Sequence, residues 1–300
     1  MESLTVSLIC LVFGAIIIVI LCRVAFGLSL ATLFKNHFFW LSLACLAALL
    51  LYIIYSPVAA QAKTSENTAE LPLPPSDTPP QQDNWEVLEA ELQGLYQNAN
   101  YAIYAEDLTD ASRKILVNAE TEMPTASVYK LAVAYSMLRA VAAGASWNSL
   151  LWNTTLENCF DKIIIESNNE CAHAWGDQHG WRAVTSEFAE LGLHINLYGQ
   201  TSATAKDIAG FLKKIYRGQI LNDGLIDKLM NAMKAQRYRQ GVPAGAPSKT
   251  VANKVGFMNE VLNDAAIVFG PSGNYVLVIF TKGYSWDSIA KTAELIDESY

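Results

Sequence analysis

Two long stretches without a charged residue dictate where this chain can build a water-soluble core. Leu4 to Cys22 is an uncharged run of 19 residues, and Phe38 to Tyr55 is another of 18, rich in Leu, Ala and aromatics. At about 1.5 Å of rise per helical residue, either run is long enough for a hydrocarbon core of about 30 Å. Soluble helices rarely run that far without a charge. The expectation is therefore a membrane anchor over residues 1–60 with two transmembrane helices, at about 4–22 and 38–56. Arg23 and Lys35 lie between the runs, whereas the N-terminal flank carries only Glu2. Cationic loops stay cytoplasmic. The expected hairpin thus keeps its loop inside and puts the N-terminus and residues 58–300 outside the cell membrane. Ala60-Gln61-Ala62 offers a competing reading, a signal peptide cut after Ala62. The preceding run is longer than a typical signal core, which favours retention as an anchor.

Residues 61–84 read as a linker. Pro72, Pro74, Pro75, Pro79 and Pro80 stand among Ser, Thr, Asn, Gln and acids, with almost nothing to bury. Such chain is extended and semi-rigid. It leaves residues 85–300 for one large domain. The whole chain carries 29 acidic and 21 basic residues, a formal net charge of −8. No basic cluster with interleaved aromatics occurs, so nucleic acid is not an expected partner. An acidic surface needs local cations to hold an anionic substrate.

Within 85–300 the hydrophobic period changes along the chain. Trp85 to Tyr96 has helical spacing through Val87, Leu88, Leu92 and Leu95. Tyr101–Tyr104 and Lys114–Val117 read as two strands of a hairpin around a polar turn. A helix is expected from about Ser127 to Ala143, ending near Gly144. A largely helical middle follows from Leu156 to about Arg217, then a helix over Leu225–Met233. Segments 251–255, 265–269 and 275–280 are apolar, β-rich and separated by Gly, Pro and Asn turns. A closing helix covers 285–300. Strands at both ends and helices between them make an α+β domain.

Three short elements carry the chemistry. Ser127 and Lys130 stand three residues apart, a spacing that makes neighbours on a helix face. A serine hydroxyl needs a base beside it, and a desolvated lysine can serve as one. Ser288-Ile289-Ala290-Lys291 repeats the spacing and reads as chance on a surface helix. Ser167-Asn168-Asn169 follows 40 residues after Ser127, and Lys254-Val255-Gly256 lies 87 residues beyond Ser167. Each admits a plainer role: helix residues, an N-cap turn, an exposed strand lysine. Together and in this order they resemble the S-x-x-K, S-[DN]-N and K-[TSV]-G elements of the class A β-lactamase and D,D-peptidase superfamily. The resemblance covers about residues 85–300.

That resemblance implies a five-stranded antiparallel sheet with helices on both faces, and a site where the serine helix meets the edge strand carrying Lys254. It implies Ser127 as acylated nucleophile, Lys130 as its base and Ser167 as proton relay to the leaving nitrogen. Asn169 would hold the substrate's side-chain carbonyl and Lys130, and Lys254 would supply positive charge. Backbone N–H groups of Ser127 and Phe257 would form the oxyanion hole, with Gly256 permitting close backbone approach. Val255 stands in the substrate-binding element where the family usually has Thr or Ser, which removes a carboxylate-binding hydroxyl. Asn168 replaces the usual Asp. Asn263 falls about where many class A enzymes place an arginine, so Arg237, Arg239 or Lys282 would have to compensate. The deacylating glutamate of the family's Ω-shaped loop has no counterpart, since Leu191 to Lys206 contains no Asp or Glu. Glu190 sits too early to replace it. No cofactor is expected.

Cys159 and Cys171 flank Ser167. Outside the cytoplasm an oxidised pair is allowed, and a disulfide stapling that turn is expected, with two buried free thiols as the alternative. Cys171, His173, Asp177 and His179 cluster, but their spacing fits no zinc pattern, so no metal is expected. The expected activity is a membrane-anchored extracytoplasmic serine hydrolase. It would act on β-lactams or D-Ala-D-Ala-type wall peptides and deacylate β-lactams slowly. A degenerate module that binds wall peptide or antibiotic without turnover, and an esterase, are the competing readings.

Overall fold

The computed structural model describes residues 84–96 and 100–299. The expected transmembrane segments at about 4–22 and 38–56, and the linker up to Asp83, lie outside the described residues. Among the described residues no helix is long and apolar enough to cross a membrane.

The chain enters through helix α1 (Asn84–Leu95) and strands β1 (Tyr101–Asp107), β2 (Lys114–Val117) and β3 (Glu122–Pro124). A 3-10 turn (Ala126–Tyr129) leads into α2 (Lys130–Ala142). A small hairpin of β4 (Leu150–Leu151) and β5 (Thr154–Thr155) precedes α3 (Leu156–Asp161). A π-helical turn (Lys162–Glu166), α4 (Asn169–Trp175), a second π turn (Gly176–Gly180) and α5 (Trp181–Ala189) complete the helical middle. After β6 (Ser202–Thr204) come α6 (Ala205–Tyr216), α7 (Asp223–Lys234) and the short α8 (Val242–Gly245). Strands β7 (Thr250–Met258), β8 (Val261–Gly270) and β9 (Gly273–Lys282) lead to the closing helix α9 (Trp286–Glu298).

The main sheet is antiparallel in the order β2-β1-β9-β8-β7, so the strands nearest the two ends of the domain pair at its centre. Both its faces are covered, as period-two alternation in β9 requires. Val276, Val278 and Phe280 join the core under α2, α4, α5, α6 and α7. Tyr275, Leu277 and Ile279 join the core under α1, α8 and α9. Helix starts are locally encoded: Thr155, Thr204, Asn222 and Ser285 each accept a backbone N–H three residues on. The Ser288-to-Lys291 repeat lies on α9, where Lys291 is exposed and pairs with Glu294 at 2.8 Å. It is a surface feature, as its sequence context suggested.

One expected element differs. The helix expected from Ser127 begins as a 3-10 turn and becomes α-helical only at Lys130. Ala126 takes a left-handed φ of 42°, which interrupts regular helix before the serine. In a 3-10 turn residues i and i+3 eclipse, so the tighter turn stacks Ser127 directly against Lys130.

Candidate active site

Ser127, Lys130, Ser167, Asn169 and Lys254 come from four separate elements and meet at one edge of the sheet. Lys130 Nζ donates to Ser127 Oγ at 3.0 Å, to the Ser167 carbonyl at 2.5 Å and to Asn169 Oδ1 at 2.6 Å. Lys254 Nζ donates to Ser167 Oγ at 2.8 Å and to the Val255 carbonyl at 2.8 Å. Both lysines are fully buried. Burial pushes the Lys130 ammonium down to about 8, with the nearby Glu170 carboxylate opposing. Burial also drives Lys254 well below its ordinary value. The Lys130 charge adds to that shift and Asp264 opposes it. Two cations held this close to one serine are both easier to deprotonate.

The local backbone explains the convergence. The π turn before Ser167 ends with that residue in the left-handed conformation, φ 59°. This aims its carbonyl at Lys130 and its hydroxyl at Lys254. Asn168 then caps α4 by accepting the Cys171 N–H at 2.8 Å, so the amide oxygen does the capping that an aspartate would do. The plainer N-cap reading of this segment is therefore correct for Asn168 alone. Cys159 on α3 and Cys171 on α4 form a disulfide across the turn.

Gly256 lies against the 3-10 turn that carries Ser127. A Cβ built there would stand 2.4 Å from the Thr125 carbonyl and 3.0 Å from the Ser127 nitrogen. Only glycine lets β7 approach this closely. Phe257, half-exposed, lines the cavity beside Ser127. Val255 lies differently from its expected place in substrate contact. Its side chain is fully buried, and the group it offers near the site is the carbonyl bonded to Lys254. Alternation along β7 turns it to the face opposite Lys254.

The residues expected to compensate for a missing arginine are engaged elsewhere. Arg237 pairs with Glu166 at 2.9 Å. Arg239 donates to the Val251 carbonyl and to Asn253 Oδ1 at 3.0 and 2.7 Å. Lys282 is exposed at the end of β9 and does not line the cavity. Asn263 is a buried bracket: it donates to the Pro124 carbonyl and accepts the Thr281 N–H. Below Lys254, Asp264 accepts from Asn253 Nδ2 and the Val242 N–H, and burial raises its carboxyl to about 6.

The cavity beside Ser127 measures about 360 Å³. It is lined by Ala126, Tyr129, Asn169, His173, Trp181, Leu197, Gly199, Gln200, Thr201, Phe257 and Met258. The segment after α5 forms one wall and is tied to the residues just before Ser127. The Thr125 N–H donates to the Thr201 carbonyl at 3.0 Å, and the two threonine hydroxyls lie 2.8 Å apart. No Asp or Glu lines the cavity. Glu190 points away and pairs with Arg139. His173, Trp181 and Leu197 went unassigned at this site in the sequence. The available signal was the four-residue step from Asn169 to His173, which places both on one face of α4. Cys171 and His179 of that cluster have separate partners. Cys171 is oxidised with Cys159, and His179 pairs with Glu187 at 3.0 Å. Among the described residues no three His, Cys, Asp or Glu side chains converge as a metal site.

An α+β sheet with a serine–lysine pair at its edge defines the class of protein. The chain matches the model of the Beta-lactamase enzyme family over residues 86–149 and 150–298, and it belongs to that family. Its fold is similar to that of PBP-A, at 21% identity, TM-score 0.66, covering 71% of this chain and 95% of that one. It is also similar to a point mutant of PBP-A, solved as an acyl-enzyme complex with penicillin G. That match has 20% identity and TM-score 0.65 and covers 71% of this chain and 96% of the other. The TLA-3 extended-spectrum β-lactamase matches at 17% identity and TM-score 0.66, over 71% and 98% of the two chains. No curated protein matches the chain.

Proposed function

We propose that this protein is a membrane-anchored, extracytoplasmic serine hydrolase, acylated at Ser127 by β-lactams or D-Ala-D-Ala-type peptides and slow to release β-lactam acyl groups. The observation that carries this reading is the 3.0 Å contact between Ser127 Oγ and the buried Lys130 ammonium, which burial brings down to about 8. Neutral Lys130 takes the serine proton as Oγ bonds to the substrate carbonyl carbon. The developing oxyanion faces the N–H groups of Ser127 and Phe257. Ser167, hydrogen-bonded to Lys254, passes a proton to the leaving nitrogen, and Asn169 steadies Lys130 and the substrate amide. Slow release of the acyl group is supported by a cavity lining without carboxylates, the side chains that would activate water. The penicillin G complex of the PBP-A mutant supports β-lactams as acyl donors. Anchoring rests on the uncharged runs 4–22 and 38–56.

The same lining favours a second reading, a module that captures wall peptide or antibiotic without turnover. The test is release of D-alanine from a D-Ala-D-Ala peptide by the full-length chain in detergent, run beside penicillin and a simple ester. Ser127-dependent D-alanine release supports the hydrolase. Turnover of the ester alone makes the protein an esterase. No turnover of any substrate leaves the binding module standing.

A further inference from the structure

We propose that His173 is the general base that releases the acyl group from Ser127. This inference rests on the acyl-enzyme reading above and supplies the base that reading lacks. His173 lies one turn beyond Asn169 on α4, and both side chains line the cavity that holds Ser127. Four residues advance a helix by about 6 Å. Asn169 touches Lys130, which touches Ser127, and His173 lines the cavity that Ser127 also lines, one turn further along the same helix face.

The side chain is exposed to the cavity and makes no hydrogen bond with the described residues. Its contact is the edge of the Trp181 ring, with centroids 6.2 Å apart. The other histidine of this region is committed, since His179 stacks on Trp175 and bonds to Glu187. Among the lining residues the remaining candidates fail as bases. Burial holds the Tyr129 phenol up at about 12, so it keeps its proton at neutral pH. Asn169 and Gln200 carry amides. Imidazole is the side chain suited to taking a proton from water near neutrality. Trp181 and Leu197 give it apolar walls.

The step balances without a co-reactant other than water. His173 takes one proton from water as the water oxygen bonds to the acyl carbon, and the carbonyl electron pair moves onto oxygen. Collapse of that intermediate breaks the bond between carbon and Ser127 Oγ. Oγ leaves with a proton from the Lys130 ammonium, and the proton held by His173 replaces it. The product departs as an acid.

The experiment follows the penicillin G adduct of the full-length protein in detergent by intact mass, for wild type, His173→Asn and His173→Ala. Both variants are expected to form the adduct at a rate within about threefold of wild type and to release it about 100-fold more slowly, the loss typical of a missing general base. Added imidazole should restore at least about tenfold of the release rate in His173→Ala. Melting curves check that the variants are folded. Release at the wild-type rate in both variants, or slow release that imidazole leaves unchanged, overturns the proposal. A wild-type protein that never acquires an adduct overturns the acyl-enzyme reading itself, and this one with it.

Discussion

Lys254 Nζ reaches Ser167 Oγ at 2.8 Å across 87 residues of chain, while the carbonyl of the same serine takes a bond from Lys130. Ser167 therefore joins the two buried lysines. The Lys130 charge makes Lys254 easier to deprotonate, whereas Lys130 itself is shifted by burial. Lys254→Gln removes one charge. The acylation rate should fall by about 100-fold as Ser167 loses its bond to the lysine, and its pH midpoint should stay near about 8, because burial sets the Lys130 value. Stopped-flow acylation against pH reads both. A midpoint that moves contradicts burial as the source of the Lys130 shift.

Lys130 must be neutral to take the Ser127 proton, and burial places its titration at about 8. Below that value the neutral fraction falls tenfold per pH unit. Acylation should rise with pH up to about 8 and then level off. The same shift bears on stability. A lysine whose folded value lies below its unfolded value near about 10.4 binds fewer protons when folded. Lys130 thus lowers stability below about pH 8, and that penalty is relieved as pH rises from about 8 to about 10.4. Urea unfolding of wild type and Lys130→Met across this range checks the sign: the variant's advantage should shrink as pH rises.

The Cys159–Cys171 disulfide closes a short loop around the turn that carries Ser167. Cross-linking a loop of this size constrains the unfolded chain by about 3 kcal/mol. Replacing both cysteines by Ala should lower the denaturation midpoint by a corresponding amount and slow acylation, since Ser167 and Asn169 lose their fixed turn. Alkylation of both thiols in the denatured, unreduced protein would show that no disulfide forms.

Gly256 allows β7 to approach the turn that carries Ser127, and a methyl group there would meet the Thr125 carbonyl. Gly256→Ala should cost about 1–3 kcal/mol of stability. It should also cost at least about 100-fold in acylation, because relief of the clash moves Phe257 away from Ser127. An alanine variant that acylates normally would remove the close approach from the account.

The sequence made the three-element site legible because each element joins local spacing to residue chemistry. Ser127 and Lys130 are one turn apart, and Ser167 and Asn169 bracket an N-cap. The strands were legible for a similar reason: segments 251–255, 265–269 and 275–280 are apolar runs between turn residues, and each lies inside a longer strand. What escaped depends on contacts distant in sequence. The left-handed backbone of Ala126 lies where Gly256 of β7 packs closely on the turn carrying Ser127, a contact distant in sequence, so the 3-10 geometry had no local signal. Val255 was placed against substrate because its motif position suggested it, but strand alternation buries it. Arg237 and Arg239 were free to choose partners until Glu166 and Asn253 came within reach. His173 has Cys171, Asp177 and His179 near it in sequence, which draws attention to metal ligation, whereas its neighbour in the cavity is Asn169, one turn earlier on α4.

Every step above depends on covalent capture by Ser127, which intact-mass spectrometry of the full-length protein with penicillin G reads out. The expected result is an adduct of one penicillin mass that maps to Ser127, persists for minutes or longer, and is absent from Ser127→Ala. An adduct that survives in Ser127→Ala, or none in wild type after hours at neutral pH, would contradict it.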